Sequence, residues 1–138
     1  MAVKAIPEGY HTITPRLFVK DADKLVRFLS SAFGAVERPR ADQRSPAEMM
    51  IGDSIVIVGN VGPRPAMPAF LYLYVPDADS TYLSAICAGA RSLEEPQNSH
   101  YGDRRAMVED PFGNIWQIAT HIEDVSPEEM RRRLNAAQ

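Results

Sequence analysis

The chain is poor in the residues that build covalent or metal-centred scaffolds. Of its 138 residues one is cysteine, one is tryptophan and three are histidine. A lone Cys87 excludes an intrachain disulfide and a thiolate metal cluster. His11, His100 and His121 stand far apart, with no H-x-E or H-x-x-x-H spacing joining them, so no local zinc-type motif is present. No run approaches the ~18 consecutive apolar residues of a membrane span, and residues 1–7 lack the apolar stretch of a secretory signal. Basic residues are not in excess. A net charge of −3 and a pI near 5.6 speak against a nucleic-acid face. The one basic run, Arg131-Arg132-Arg133, falls on a predicted terminal helix and reads as a solvated surface. These absences describe a cytoplasmic protein whose partners are neither nucleic acid nor membrane.

What remains is ordinary globular material, and the most informative stretch is Tyr101 to Thr120. Residues 104–109 and 115–120 are β-compatible arms around Asp110-Pro111-Phe112-Gly113-Asn114. Pro111 sets φ for a turn, while Gly113 and Asn114 tolerate positive φ. The second arm carries Trp116 beside a polar Gln117. Upstream, residues 1–9 read as an irregular lead-in and residues 12–19 as a strand, with Pro15 marking an edge or bulge. Asp21 is a candidate N-cap for a helix over 22–33, apolar at Leu25, Phe28, Leu29 and Ala32 and stopped by Gly34. Residues 35–41 read as a strand, and 48–51 with 54–58 as a hairpin about Gly52-Asp53. A proline-bearing linker follows over 60–68. The second half holds a strand over 70–75, a helix over 78–88 capped by Asp77, a short strand over 90–94 and a loop over 95–100. After the first-described hairpin, Ser126-Pro127-Glu128-Glu129 opens a helix ending near Asn135.

The two halves are one pattern written twice. Val19-Lys20-Asp21-Ala22-Asp23 matches Val75-Pro76-Asp77-Ala78-Asp79, and Gly34-Ala35 matches Gly89-Ala90. A period of roughly 55 residues is an internal duplication. The implied fold is α+β. Two βαβββ modules form a curved mixed sheet around a cleft, with the helices outside, in one domain over 1–138. Module 1 spans about 10–60, module 2 about 69–122, and a C-terminal helix about 126–135. Strand alternation assigns the faces. Leu17, Val19, Leu71, Leu73 and Val75 point to the helices. Thr14, Arg16 and Phe18 on the first strand, and Phe70, Tyr72 and Tyr74 on its repeat, point into the cleft. An arginine on an inner sheet face is costly unless paired or solvated.

The segments VKDADKLVRFLSSAFGA, MMIGDSIVIV, VPDADSTYLSAICAGA and above all YGDRRAMVEDPFGNIWQIATHIEDVSPEEM resemble the vicinal oxygen chelate superfamily. This is the group of glyoxalases, bleomycin-resistance proteins and extradiol dioxygenases, and the resemblance is greatest to its small PhnB-like branch. It spans roughly residues 10–133. In that family a divalent metal is commonly held by one side chain on each of four strands, His or Gln on the first strand of each module and Glu on the last. The matching positions here are Thr14, Ile57, Phe70 and Gln117. Of these only Gln117 can coordinate a metal, and shifting the alignment by one residue brings no further ligands. The resemblance therefore implies a cleft without the usual metal and without a cofactor. In the PhnB-like pattern Glu48 belongs to a polar His-Ala-Glu-Leu segment, and here Pro46 replaces the histidine.

The candidate ligand-binding residues are accordingly Thr14, Arg16, Phe18, Glu48, Met50, Ile57, Phe70, Tyr72, Tyr74, Tyr101, Arg104 and Gln117: an apolar lining with a few polar anchors. Glu48 reads as the partner of Arg16 or Arg104 in an ion pair, or alternatively as a general base. Arg16 points to an anionic or carbonyl-bearing ligand. Two functions follow. One is a binding protein for a small aromatic or amphiphilic molecule. The other is an enzyme of the same superfamily (lyase, isomerase or dioxygenase), using unrecognised metal ligands or metal-free acid–base chemistry. The resemblance also implies a homodimer whose clefts are completed by the partner.

Overall fold

Each half of the chain solves the same capping problem in the same way. Asp21 and Asp77 stand at matching helix starts, and their carboxylates accept from Lys24 N at 3.1 Å and Ser80 N at 3.2 Å, which satisfies donors a helix cannot pair internally. A polar side chain from the last strands reaches each helix start as well. Asn60 Oδ1 accepts from Ala22 N at 2.9 Å, and Thr120 Oγ1 accepts from Ala78 N at 2.8 Å. Gly34 ends the first helix at φ 67°, a left-handed conformation that favours glycine.

The protein is described by a computed structural model covering residues 3–137; Met1 and Ala2 of the lead-in, and Gln138, lie outside the described residues. Module 1 comprises β1 (Arg16–Val19), α1 (Ala22–Phe33), β2 (Val36–Glu37), β3 (Ala47–Ile51) and β4 (Ser54–Asn60). Module 2 comprises β5 (Phe70–Tyr74), α2 (Ala78–Cys87), β6 (Arg91–Asn98), β7 (Asp103–Glu109) and β8 (Ile115–His121), and α3 (Pro127–Ala136) follows. The strands run β1-β4-β3-β2 in sheet A and β5-β8-β7-β6 in sheet B. β1 pairs with β4, and β5 with β8, in parallel; the remaining pairs are antiparallel. The α+β architecture of two βαβββ modules is thus the one expected, with the curved sheet divided into two four-stranded halves. β1 and β5 each have a single strand partner, so each keeps one free edge.

Three boundaries differ most from the sequence reading. β1 begins at Arg16 rather than residue 12; Pro15 has no N–H to give, although its carbonyl accepts from Ile57 N at 3.0 Å. β2 spans two residues instead of 35–41, because Arg38 N makes the last ladder bond, to Glu48 O at 2.9 Å, before Pro39 removes a donor. β6 runs to Asn98 instead of stopping at 94, since register shifts at Glu94 absorb the irregularity around Pro96.

α1 covers one face of the first sheet and α2 one face of the second, and α1 also packs on α2. The apolar side chains of both modules join one core that includes Leu17, Val19, Leu25, Leu29, Met49, Val58, Val108 and Ile118. Trp116 stands at the seam, 2% exposed, with its ring 4.9 Å from that of Phe33 on α1. Its indole N–H is held by Asp110. This carboxylate is itself buried and accepts from Phe112 N, Asn114 N, Asn114 Nδ2 and Trp116 Nε1 at 2.8 to 3.0 Å. The Asp-Pro-Phe-Gly-Asn turn is therefore a hydrogen-bonded knot and not merely a reversal. Among the described residues no helix is long and apolar enough to cross a membrane.

Candidate functional site

Strand alternation leaves one face of each sheet uncovered by helices. On sheet A that face carries Arg16 and Phe18 from β1, Ile57 from β4, and Glu48 and Met50 from β3, with Arg16 in register with Ile57 and Glu48 with Ile57. Arg16 is exposed and lies over the Phe18 ring at 5.0 Å. It does not pair with Glu48. The Glu48 carboxylate instead accepts a hydrogen bond from the Tyr10 hydroxyl. Arg38 helps hold Tyr10 in place, with its guanidinium 5.8 Å from that ring and Arg38 Nη1 donating to Glu8 O at 3.1 Å. The lead-in thus folds over part of sheet A. Thr14 precedes β1 and belongs to no strand.

Sheet B is different in kind. Phe70, Tyr72 and Tyr74 stand on β5 in register with Ile115, Gln117 and Ala119 on β8. Phe70 and Tyr74 are each 61% exposed and Tyr72 is 38% exposed. At the end of this face sits Asp103, 1% exposed, the centre of a polar cluster that the sequence reading passed over. Its Oδ2 accepts from the hydroxyls of Tyr72 at 2.6 Å and Tyr74 at 2.8 Å, and its Oδ1 from His121 Nδ1 at 2.8 Å. Tyr101 stands 3.1 Å from the Tyr72 oxygen, and His121 Nε2 contacts Asp124 Oδ1 at 2.8 Å. Both partners of His121 are carboxylates that only accept, so the arrangement calls for a protonated ring.

The titration behaviour follows from these contacts. Burial pushes the Asp103 carboxyl up, but the hydrogen bonds from Tyr72, His121 and Tyr74 outweigh it and hold the group below its ordinary value. Burial, then the bond to Asp103, pushes the Tyr72 phenol up; for Tyr74 the bond to Asp103 comes first. Hydrogen bonds to Asp103 and then Asp124 raise the His121 imidazole. One sequence signal could have found this cluster: Asp103 begins a strand whose alternation sets it on the same face as Gln117, beside two tyrosines two residues apart.

Arg104 does not join this face. Its parity on β7 turns it toward α2, where Nε and Nη2 contact the two oxygens of Asp79 at 3.0 and 3.1 Å. Its neighbour Arg105 takes the inner position and pairs with Glu94 at 3.1 Å. The expected ion pair between Glu48 and Arg16 or Arg104 is therefore absent, and each of the three side chains has another partner. A cleft of about 550 Å³ follows the free edge of β5 and is bordered on its other side by His11, Ile13 and the turn between β3 and β4. Of the twelve candidate residues it gathers only Tyr72 and Tyr74; the others lie on the two open faces or, for Thr14 and Arg104, off them.

The four positions that would carry a metal do not fit one. Thr14, Ile57, Phe70 and Gln117 offer one hydroxyl and one amide, whereas divalent transition metals are held by several imidazole, thiolate or carboxylate donors. Among the described residues no three His, Cys, Asp or Glu side chains converge as a metal-holding group. His121 lies between its two aspartates as a link in a chain and not as one of three ligands around a point.

Known proteins agree with the architecture. An uncharacterized protein of Mycobacterium bovis is 26% identical over 152 aligned residues, covering 99% of this chain and 97% of its own. The crystal structure of TioX from Micromonospora superposes with a TM-score of 0.72 at 24% identity, over 81% of this chain and 99% of that one. A glyoxalase/bleomycin resistance protein/dioxygenase family enzyme from Burkholderia phytofirmans gives 0.68 at 19% identity, over 79% and 97%. These structural likenesses speak to the fold. The sequence itself goes further, since residues 10–118 match the family model, and the chain belongs to the Glyoxalase/Bleomycin resistance protein/Dioxygenase superfamily.

Proposed function

We propose that this protein binds a small aromatic or amphiphilic molecule against its open sheet faces, without a metal, and works as a homodimer in the cytoplasm. The observation that carries the reading is the aromatic face of β5. Phe70 and Tyr74 at 61% exposure and Tyr72 at 38% are large rings left uncovered on a rigid strand, in a fold whose helices already cover the other side. Exposing apolar area costs roughly 25 cal/mol per Å², so such a face is kept for something that covers it. On the other sheet Arg16, Phe18, Met50 and Ile57 supply a second, flatter surface with one cation.

Proton-transfer chemistry is poorly served by the same geometry. Both nitrogens of His121 are occupied by carboxylates, and one of the two Glu48 oxygens is taken by the Tyr10 hydroxyl. A general base needs a free lone pair within reach of the substrate proton. Binding is therefore favoured over acid–base catalysis. The dimer reading rests on the free edges of β1 and β5 together with the uncovered faces. A second copy placed against them would enclose a cleft that one chain leaves open. Cys87, the only thiol, asks for no oxidising compartment.

Two measurements test this. Sedimentation equilibrium is expected to give twice the chain mass. Calorimetric titration with a panel of flat aromatic compounds is expected to give heats that Tyr74→Ala and Phe70→Ala weaken by about tenfold each, the order expected for losing one exposed aromatic contact. A monomer that binds none of the panel would end the reading, and turnover of a panel compound would replace it with an enzymatic one.

A further inference from the structure

The Asp103 cluster gives the sheet B face a definite hydrogen-bonding polarity. Each phenol owns a single hydrogen. Those of Tyr72 and Tyr74 are both spent on Asp103 Oδ2, at 2.6 and 2.8 Å. The 3.1 Å contact between Tyr72 and Tyr101 must then run from the Tyr101 hydroxyl to the Tyr72 oxygen. What Tyr72 and Tyr74 retain for a visitor is lone pairs. Behind them lies a carboxylate that is 1% exposed, and its charge polarises both O–H groups and adds electron density to the oxygens and rings. The two rings are in contact, 5.2 Å apart and tilted by 57°, and both residues stay exposed to solvent, so a cation is received over their outward faces and not between them.

The cations on this face are already engaged. Arg105 pairs with Glu94 at 3.1 Å, and Arg91 pairs with Glu109. His121 is held between Asp103 and Asp124. Among the described residues, then, no unpaired cation on sheet B is positioned to receive a carboxylate or phosphate, while acceptor atoms stand in the open.

We infer that the Tyr72–Tyr74–Asp103 cluster is a subsite for a hydrogen-bond donor, best a protonated amine carried on an aromatic body, and that it discriminates against anions. This rests on the cleft-binding reading and sharpens it: Arg16, on the other sheet, suits an anionic or carbonyl group, so the two half-faces would read opposite ends of a ligand. The recognition on sheet B comes from acceptor oxygens and aromatic faces. The charge that sets their polarity is buried beneath them and touches no ligand.

Three probes of similar aromatic body test it: tryptamine (cationic), indole-3-propionate (anionic) and indole (neutral). Each is titrated calorimetrically into the wild-type protein, Tyr74→Phe and Asp103→Asn. Tryptamine is expected to bind about tenfold more tightly than indole-3-propionate. Tyr74→Phe, which removes one hydroxyl and keeps the ring, is expected to cut that preference severalfold. Asp103→Asn should abolish it. If that variant fails to fold, Tyr74→Phe alone decides. Equal affinity for the two charged probes, tighter binding of the anion, or an unaltered preference in Tyr74→Phe would overturn the inference. So would indole binding without tryptamine binding, which would still leave cleft binding intact. Failure of all three probes to bind at millimolar concentration would overturn the subsite and weigh against the cleft reading itself.

Discussion

Replacing Asp110 by asparagine should unfold this protein more easily by an amount that can be worked out in advance. The Asp110 carboxylate is 4% exposed and accepts four hydrogen bonds. Two come to Oδ1 from backbone, Phe112 N at 2.8 Å and Asn114 N at 3.0 Å. Two come to Oδ2 from side chains, Asn114 Nδ2 at 2.9 Å and Trp116 Nε1 at 3.0 Å. An asparagine of the same shape keeps the first pair if its oxygen takes the Oδ1 place. Its NH₂ group then faces two donors it cannot accept from. A buried donor left unsatisfied costs about 1–3 kcal/mol, so with some rotation of the Asn114 amide the loss should be about 3 kcal/mol. At roughly 3 °C per kcal/mol for a chain of this size, the melting temperature should fall by about 9 °C.

Urea unfolding followed by far-ultraviolet circular dichroism measures the loss. A double-mutant cycle with Trp116→Phe isolates the indole share, because a phenylalanine leaves no N–H to strand. The cycle should return a coupling of about 1 kcal/mol. A midpoint shift equivalent to less than about 0.5 kcal/mol would refute the view that this turn is held by its buried carboxylate.

Gly102 sits at φ 99°, and a Cβ there would overlap the Glu123 carbonyl oxygen, which is backbone and cannot step aside; Gly102→Ala should cost roughly 3 kcal/mol or more, checked by the same urea series. The His121–Asp103 pair should give stability an upper and a lower pH limit. The raised His121 imidazole contributes stability that is complete below its ordinary 6.5 and lost as pH rises through the raised value; the lowered Asp103 carboxyl contributes stability present above its ordinary 3.8 and lost as pH falls through the lowered one. The melting-temperature difference between wild type and His121→Gln should therefore shrink above neutrality, and a difference that does not change with pH would argue against the pairing. Titration with zinc, nickel, manganese or iron(II) should leave the melting temperature in place, since a ligand bound by the native state stabilises it by RT ln(1 + [L]/Kd).

The fold was legible because each element announces itself locally. Asp21 and Asp77 cap, Gly34 stops, and the Val-x-Asp-Ala-Asp repeat shows that one module was written twice. Parity on β1 and β5 was legible too, since a four- or five-residue strand leaves little room for slippage: Leu17 and Val19 are 2% and 4% exposed while Arg16 is exposed. The site was harder to read for a physical reason. Which residues share a face follows from period two along a strand, but which side chains meet depends on how far each one leans and on what crosses the face. Arg104 and Arg105 are neighbours in sequence and lie on opposite sides of β7, so the choice between them turned on the strand beginning at Asp103. Glu48 found Tyr10 because the lead-in folds back over sheet A, and an irregular segment has no periodicity from which such a contact could be inferred. Asp103 was missed because its importance comes from convergence: Tyr72 and His121 reach it from opposite ends of module 2.

The free edge of β5 has a consequence for how this protein survives in solution. Between Pro68 and Pro76 the chain reads Ala-Phe-Leu-Tyr-Leu-Tyr-Val, seven residues without a charge, a glycine or a proline. That is the composition of a strand that recruits other strands. Its counterpart β1 is shielded in the ways natural edges usually are: it is four residues long, preceded by Pro15, and bears Arg16 at its start. β5 has no such guard within its length. In the proposed homodimer, a partner copy laid against this edge would guard the folded state as well as complete the cleft. Variants that uncouple the proposed dimer should accordingly show themselves as turbidity and fibrous precipitate on storage.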